Sequence, residues 1–189
     1  MRVKSRWRAK DKERSLEEVA GAVGFIAWRI GANGCLHLEN EGFQTDTQLQ
    51  RLDVVSEFTA FAIHLTDRLT IERLTLEQRH EFMTALALKC AKHYHDSKVE
   101  NAGPGNYQQE FIDLLNERME AYAEFAFVDS EPSFNMRRYF GDRVTDVMGP
   151  KDRKWVTQQV MDIEAPEVIE TLAKALRNLM PPDDETPRS

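Results

Sequence analysis

Cysteine is scarce in this chain and long apolar runs are missing, and the two shortages together exclude several classes of protein. The only cysteines, Cys35 and Cys90, have no metal-type spacing. A single disulfide between them is formally open, but two reduced thiols in a cytosolic protein is the expected arrangement. The longest apolar run, 19–28, has ten residues and contains Gly21 and Gly24. A bilayer crossing needs about twenty, so no membrane span is expected. Basic residues at the N-terminus are not followed by an apolar stretch, so no secretory signal is expected either. Gly103-Pro-Gly105 precedes a helix, yet it lacks both the preceding strand and the lysine of a phosphate-binding loop. There is no Gly-x-Ser-x-Gly, no His-Glu-x-x-His and no zinc ligand set. No segment alternates apolar and polar residues as a half-buried strand does.

What is present is a series of helical stripes. Leu16, Val19, Val23, Ile26 and Ile30 recur at spacings of three and four, as do Val55, Phe58, Ala62, Leu65 and Leu69, and later Ile169, Leu172, Leu176 and Leu179. That period aligns apolar side chains on one face of a 3.6-residue helix. The expected fold is all-α, a bundle of six to seven mostly antiparallel helices with no sheet. Its 189 residues suffice for one domain with a real core. The expected division is a basic, disordered arm over 1–14, a single helical domain over 15–180, and an acidic, proline-rich disordered tail over 181–189.

Local signals place the helices. Ser15 with Glu18 forms a capping box at the start of the first. Gly42 followed by Phe43 reads as its terminator, with Leu38 as the apolar partner of Phe43. The glycines Gly31 and Gly34 are expected to weaken or bend this helix, and Ala20, Gly21 and Gly24 leave a face that another helix can approach closely. A central helix is expected from near Thr47 to about Arg73, apolar over half its circumference. Thr75 with Gln78 opens a third, to about Lys98. A fourth is expected from about Tyr107 to Phe127, a fifth from Phe134 to Met148, and a final pair that Pro166 kinks or restarts. Trp155, Val156, Val160 and Ile163 lie on the first of that pair, and Trp28 and Trp155 are counted towards an apolar surface generous for one monomer.

Four local phrases, Leu38-Glu-Asn-Glu-Gly-Phe43, His64-Leu-Thr-Asp-Arg-Leu69, Leu114-Leu-Asn-Glu-Arg-Met119 and Arg138-Tyr-Phe-Gly141, resemble a group of uncharacterised bacterial all-helical proteins. The resemblance spans most of residues 15–180. It implies a bacterial, cytoplasmic setting and carries no reaction, ligand or site.

Charge is unevenly spread. Residues 1–14 hold seven cations against two acids, so the formal net charge of −7 leaves about −12 on the remainder. Such a body repels nucleic acid, and only the arm, with Trp7 able to stack, could recruit RNA or another acidic partner.

Candidate chemistry is sparse. Glu77 and His80 make one Glu-x-x-His pair of the kind that two-metal helical bundles use twice. Glu110, Asp113, Glu117, Glu120 and Glu124 project away from the fourth helix's apolar face and should be solvated. His93 and His95 point in opposite directions and are read as favourable charge near a helix C-terminus. His64, with Asp67, Arg68 and Glu57 on one strip, has the parts of a carboxylate-oriented histidine, but the strip projects opposite the Val55–Leu69 stripe and reads as surface ion pairing. Arg118 projects into the middle of an apolar face, so a carboxylate should meet it, with Glu57 and Asp67 the candidates and Arg137 and Arg143 possible members of the cluster. Cys90 reads as an inert core thiol. No cofactor is predicted. The reading that results is a non-enzymatic, cytoplasmic interaction protein, a homo-oligomer and specifically a homodimer, with room for a protein partner. The alternatives are an enzyme or ligand binder with a pocket lined by Arg118, Glu57, His64 and Asp67, a metal held by Glu77 and His80, or recruitment of RNA or another acidic partner through the arm.

Overall fold

Local signals of capping and termination dictate where the first helix begins and ends. In a computed structural model, which describes residues 14–180, α1 spans Leu16–Asn40, and its Ser15–Glu18 capping box is closed in both directions. Gly42 has φ +93°, its N–H donates to Glu39 O at 3.0 Å, and the Phe43 N–H donates to Leu38 O at 2.9 Å. These two bonds satisfy carbonyls that the helix would otherwise leave open. The basic arm other than Arg14 and the acidic tail lie outside the described residues.

The other elements follow in order: α2 Gln48–Thr70, α3 Leu76–Ala102, α4 Gln108–Ala123, β1 Phe127–Val128, β2 Glu131–Pro132, α5 Phe134–Met148, α6 Arg153–Gln159, a π-helical turn Val160–Glu164, and α7 Ala165–Leu179. Because α6, the π turn and α7 run on without a break, the described residues form six helical rods. The expectation of no sheet needs one correction. The two short strands pair antiparallel, Phe127 with Pro132 and Val128 with Glu131. Their two-residue turn holds Asp129 at φ 53° and Ser130 at φ 63°, the left-handed pair that a type I′ hairpin requires. No glycine marks it. For the same reason α4 ends four residues before the expected Phe127.

Helix α2 is the hub. Its buried set includes Leu52, Val54, Phe58, Phe61, Ile63 and Leu65, but also Ser56, Glu57, Thr59, His64, Thr66, Asp67 and Thr70. A helix buried on nearly every side cannot have a wet face, so the strip bearing His64 is not at the surface as its projection suggested. Its hydroxyls are satisfied within the helix: Ser56 donates to Leu52 O (2.7 Å), Thr59 to Val55 O (2.7 Å), Thr66 to Ala62 O (2.8 Å) and Thr70 to Thr66 O (2.8 Å). Around α2 the core is aromatic. Phe61 stacks on Phe140 with centroids 4.1 Å apart, and Phe58 meets Phe140 edge-on at 4.9 Å.

Gly31 and Gly34 do not interrupt α1. They form a notch for α2: a Cβ on Gly31 would lie 2.6 Å from Val55 O, and one on Gly34 would clash with the edge of the Phe58 ring. The small face at Ala20–Gly24 is partly used within the chain, because a Cβ on Gly24 would lie 2.8 Å from Lys89 Cγ of α3. Trp155 and Ile163 are exposed while Val156 and Val160 are buried, so the four do not share one buried face and Trp155 adds nothing to the core. Pro166 falls in the first turn of α7, so the last rod restarts there as a regular helix. The π turn just before it, closed by the Ala165 N–H on Val160 O, places the proline at the first turn of α7, where its missing N–H costs little.

Candidate functional site

Arg118, on α4, reaches α2 through the apolar interior. Its Nε and Nη2 donate to the two carboxylate oxygens of Glu57, each at 2.8 Å, and its Nη1 donates to Glu117 at 2.6 Å. Glu57 is 1 % exposed and Arg118 8 %, so this is a fork-to-fork pair in a desolvated setting. The Glu57 bonds raise the guanidinium's affinity for its proton further. Asp67, the other candidate, goes elsewhere: Arg79 Nε and Nη2 each hold it at 2.6 Å. Arg143 does not join either group. It pairs with Asp146 at 2.8 Å and lies over the Tyr139 ring.

His64 is 2 % exposed. Arg68 Nε donates to its Nε2 at 3.2 Å, which puts the proton of the neutral ring on Nδ1, a buried atom with no partner among the described residues. Burial, helped by Arg68 and opposed by Asp67, pushes its pKa down to about 4. The ring packs against that of Tyr122, centroids 5.2 Å apart. His64 and Glu57 are therefore both interior, with the Arg68 head anchored on Ala123 O and Phe125 O. The four residues read as one candidate ligand set are divided between two ion pairs and a separately held imidazole.

Glu77 and His80 are exposed in the opening turns of α3. The acidic row of α4, from Glu110 to Glu124, is likewise exposed. His93 and His95 do face apart. His93 stacks on Trp28 with centroids 5.7 Å apart, and His95 Nδ1 accepts the Tyr107 N–H at 3.3 Å. They do not mark the end of α3, which continues to Ala102. Both cysteines are buried free thiols, and burial pushes Cys35 up to about 11 and Cys90 up to about 12. Neither has the thiolate character a nucleophile needs.

A donor cluster of metal-binding type that the sequence does not announce joins the end of α1 to the last rod. His37 Nδ1 lies 3.4 Å from Glu164 and 3.5 Å from Glu167, and one donor atom from each residue lies within 4.8 Å of the others. Glu164 is 2 % exposed, and burial raises its pKa. The two elements are 127 residues apart in the chain, so only the Glu164-x-x-Glu167 spacing gave any local signal.

The outer side of α1 is the second feature. Phe25 is 50 % and Leu36 46 % exposed, and Ala32 and Arg29 are exposed beside them. An 18-residue window of α1 has a mean hydropathy of 1.3, enough by length and composition to cross a membrane, and half of it is buried in the fold. No family model matches the chain, and no curated protein and no solved structure does so.

Proposed function

We propose that this chain is a non-enzymatic, cytoplasmic interaction protein that works as a homodimer, with the outer stripe of α1 as its contact face. The observation that carries this reading is the half-exposed Phe25 and Leu36 on a helix that has only Arg29 as a fixed charge between Val19 and Leu38. A helix that is apolar on all sides calls for cover on all sides. The cysteines support the compartment, since both are free.

The stripe is self-complementary. Gly21, Phe25, Trp28, Arg29, Ala32 and Leu36 fall within an arc of about 100° on the helix. If two copies meet antiparallel about a two-fold axis between Trp28 and Arg29, Gly21 faces Leu36 of the other copy and Phe25 faces Ala32. Each large side chain then meets a small one, and each Arg29 meets an indole, as an isologous interface requires. Gly21 has nothing within 4 Å of where its Cβ would be, which leaves the room that Leu36 needs. The surroundings of Arg118 favour a structural role, because Glu57 and Glu117 already take up its donors.

Sedimentation equilibrium up to about 100 µM tests the proposal at the affinity range of ordinary dimers. The wild type should be dimeric and Phe25→Glu monomeric. Ala32→Phe should weaken the dimer, and adding Phe25→Ala should restore it. A wild type that stays monomeric overturns the reading, and failure of the double variant overturns the register. A monomer that floats with neutral lipid vesicles would assign the stripe to a membrane instead.

A further inference from the structure

We propose that His37, Glu164 and Glu167 hold one divalent transition-metal cation, and that zinc is the ion that the distances from His37 to the two carboxylates fit. Tetrahedral zinc has N and O ligands about 2.0–2.2 Å away, which sets neighbouring donors about 3.4 Å apart. An octahedral ion of the same radius would set them near 3.0 Å. His37 Nδ1 stands 3.4 Å and 3.5 Å from the two carboxylates, and the three donors lie within 4.8 Å of one another.

Charge points the same way. Glu164 is buried, yet its side-chain bonds are long: 3.4 Å to His37 and 3.3 Å to Gln159 Nε2. Among the described residues no lysine or arginine forms an ion pair with either carboxylate, and their one charged or chargeable partner is His37. A buried carboxylate is normally matched by a cation or several short bonds. Here an ion would supply that match. The site also lies at the last turn of α1, where the helix dipole favours positive charge.

Space allows it. A cavity of about 40 Å³ is lined by Ile30, Asn33, His37, Glu164, Glu167 and Thr171, room for a water on the one remaining coordination position. Three protein donors with one open position is the arrangement of zinc sites that bind a water or an exogenous ligand, rather than of closed structural sites. The π-helical turn contributes directly, because Glu164 is its last residue. Bound metal would tie the end of α1 to the final rod.

Equilibrium dialysis of the full chain against zinc alone, followed by elemental analysis, tests this. One zinc per chain is expected, together with a rise in thermal midpoint. His37→Asn and Glu167→Gln, both at partly exposed positions that leave the fold intact, should each weaken binding by at least about tenfold. Glu164→Gln should do the same. Cobalt(II) should give the intense visible absorption of a tetrahedral ion in the wild type and lose it in His37→Asn. Absence of zinc binding at about 100 µM, or binding that survives the combined His37→Asn and Glu167→Gln change, overturns the proposal. Octahedral-type cobalt spectra would overturn the zinc assignment.

Discussion

Glu57 and Arg118 face each other across the core with both carboxylate oxygens and two guanidinium nitrogens engaged, 61 residues apart in the chain. Removing one partner should cost far more than removing both. Glu57→Ala or Arg118→Ala alone leaves a charge in the interior and should lower unfolding free energy by about 3–5 kcal/mol. The double change Glu57→Leu with Arg118→Leu should recover most of that loss. Urea denaturation of the three variants measures it, and a double variant as unstable as the worse single one would mean that the pair itself supplies the stability.

Acid should find His64. Its folded pKa is depressed to about 4, so the unfolded chain protonates first as pH falls. The stability contributed by the neutral ring is complete above about 6.5 and is lost as pH falls through 4. The full effect is about 3 kcal/mol. His64→Leu should therefore be relatively less sensitive between pH 6.5 and 4, with the difference from wild type read from paired denaturation curves at each pH. Equal slopes in the two proteins would show that the ring is not held neutral.

The glycine notch gives a sharp contrast. Gly34→Ala should destabilise by about 1–3 kcal/mol or more, since its Cβ would clash with the edge of the Phe58 ring and overpacking a tight contact is costly. Gly21→Ala should stabilise by about 0.5–1 kcal/mol, because its Cβ meets nothing within 4 Å and alanine is the better helix former. Both belong in a Phe25→Glu background, so that any self-association does not enter the thermal midpoints.

At the hairpin, Ser130→Gly should raise stability by about 1 kcal/mol. Ser130 has φ 63°, a conformation that costs a non-glycine residue roughly 1–2 kcal/mol. Differential scanning calorimetry would show the gain, and a loss would indicate that the serine side chain makes a compensating bond.

Thiol reagents should not modify Cys35 or Cys90 in the folded protein, whose thiols burial pushes up to about 11 and about 12. Labelling should follow global unfolding, and rapid native-state labelling of Cys90 would mean that α1 and α3 separate locally.

Signals confined to a few neighbouring residues were legible in the sequence. The Ser15–Glu18 and Thr75–Gln78 boxes and the Gly42–Phe43 ending are all formed, because each bond joins groups within one or two turns. Arg118 was legible as a buried charge in need of a carboxylate. What failed was inference that needs a neighbour. Projection separates a wet face from a dry one only when one side meets solvent, and α2 is enclosed, so projection sets His64 and Asp67 outside although they lie inside. The Asp129–Ser130 turn escaped because neither residue is glycine or asparagine. His37 met Glu164 only through tertiary packing, and the π turn that carries Glu164 has no sequence mark besides the proline after it.

The hydroxyls of α2 have a consequence for how the chain finds its arrangement. Each one looks after a carbonyl of its own rod, one turn back, and those of Ser56, Thr66 and Thr70 convey nothing about which neighbour lies alongside or at what height, whereas Thr59 also forms part of the recess at Gly31. Orientation is left to shape at the Gly31–Gly34 recess and to the charged clasps that Glu57 and Asp67 make with Arg118 and Arg79. Replacing Ser56, Thr66 and Thr70 with alanine or valine should leave the address intact, whereas filling the recess or unfastening a clasp should let the hub turn.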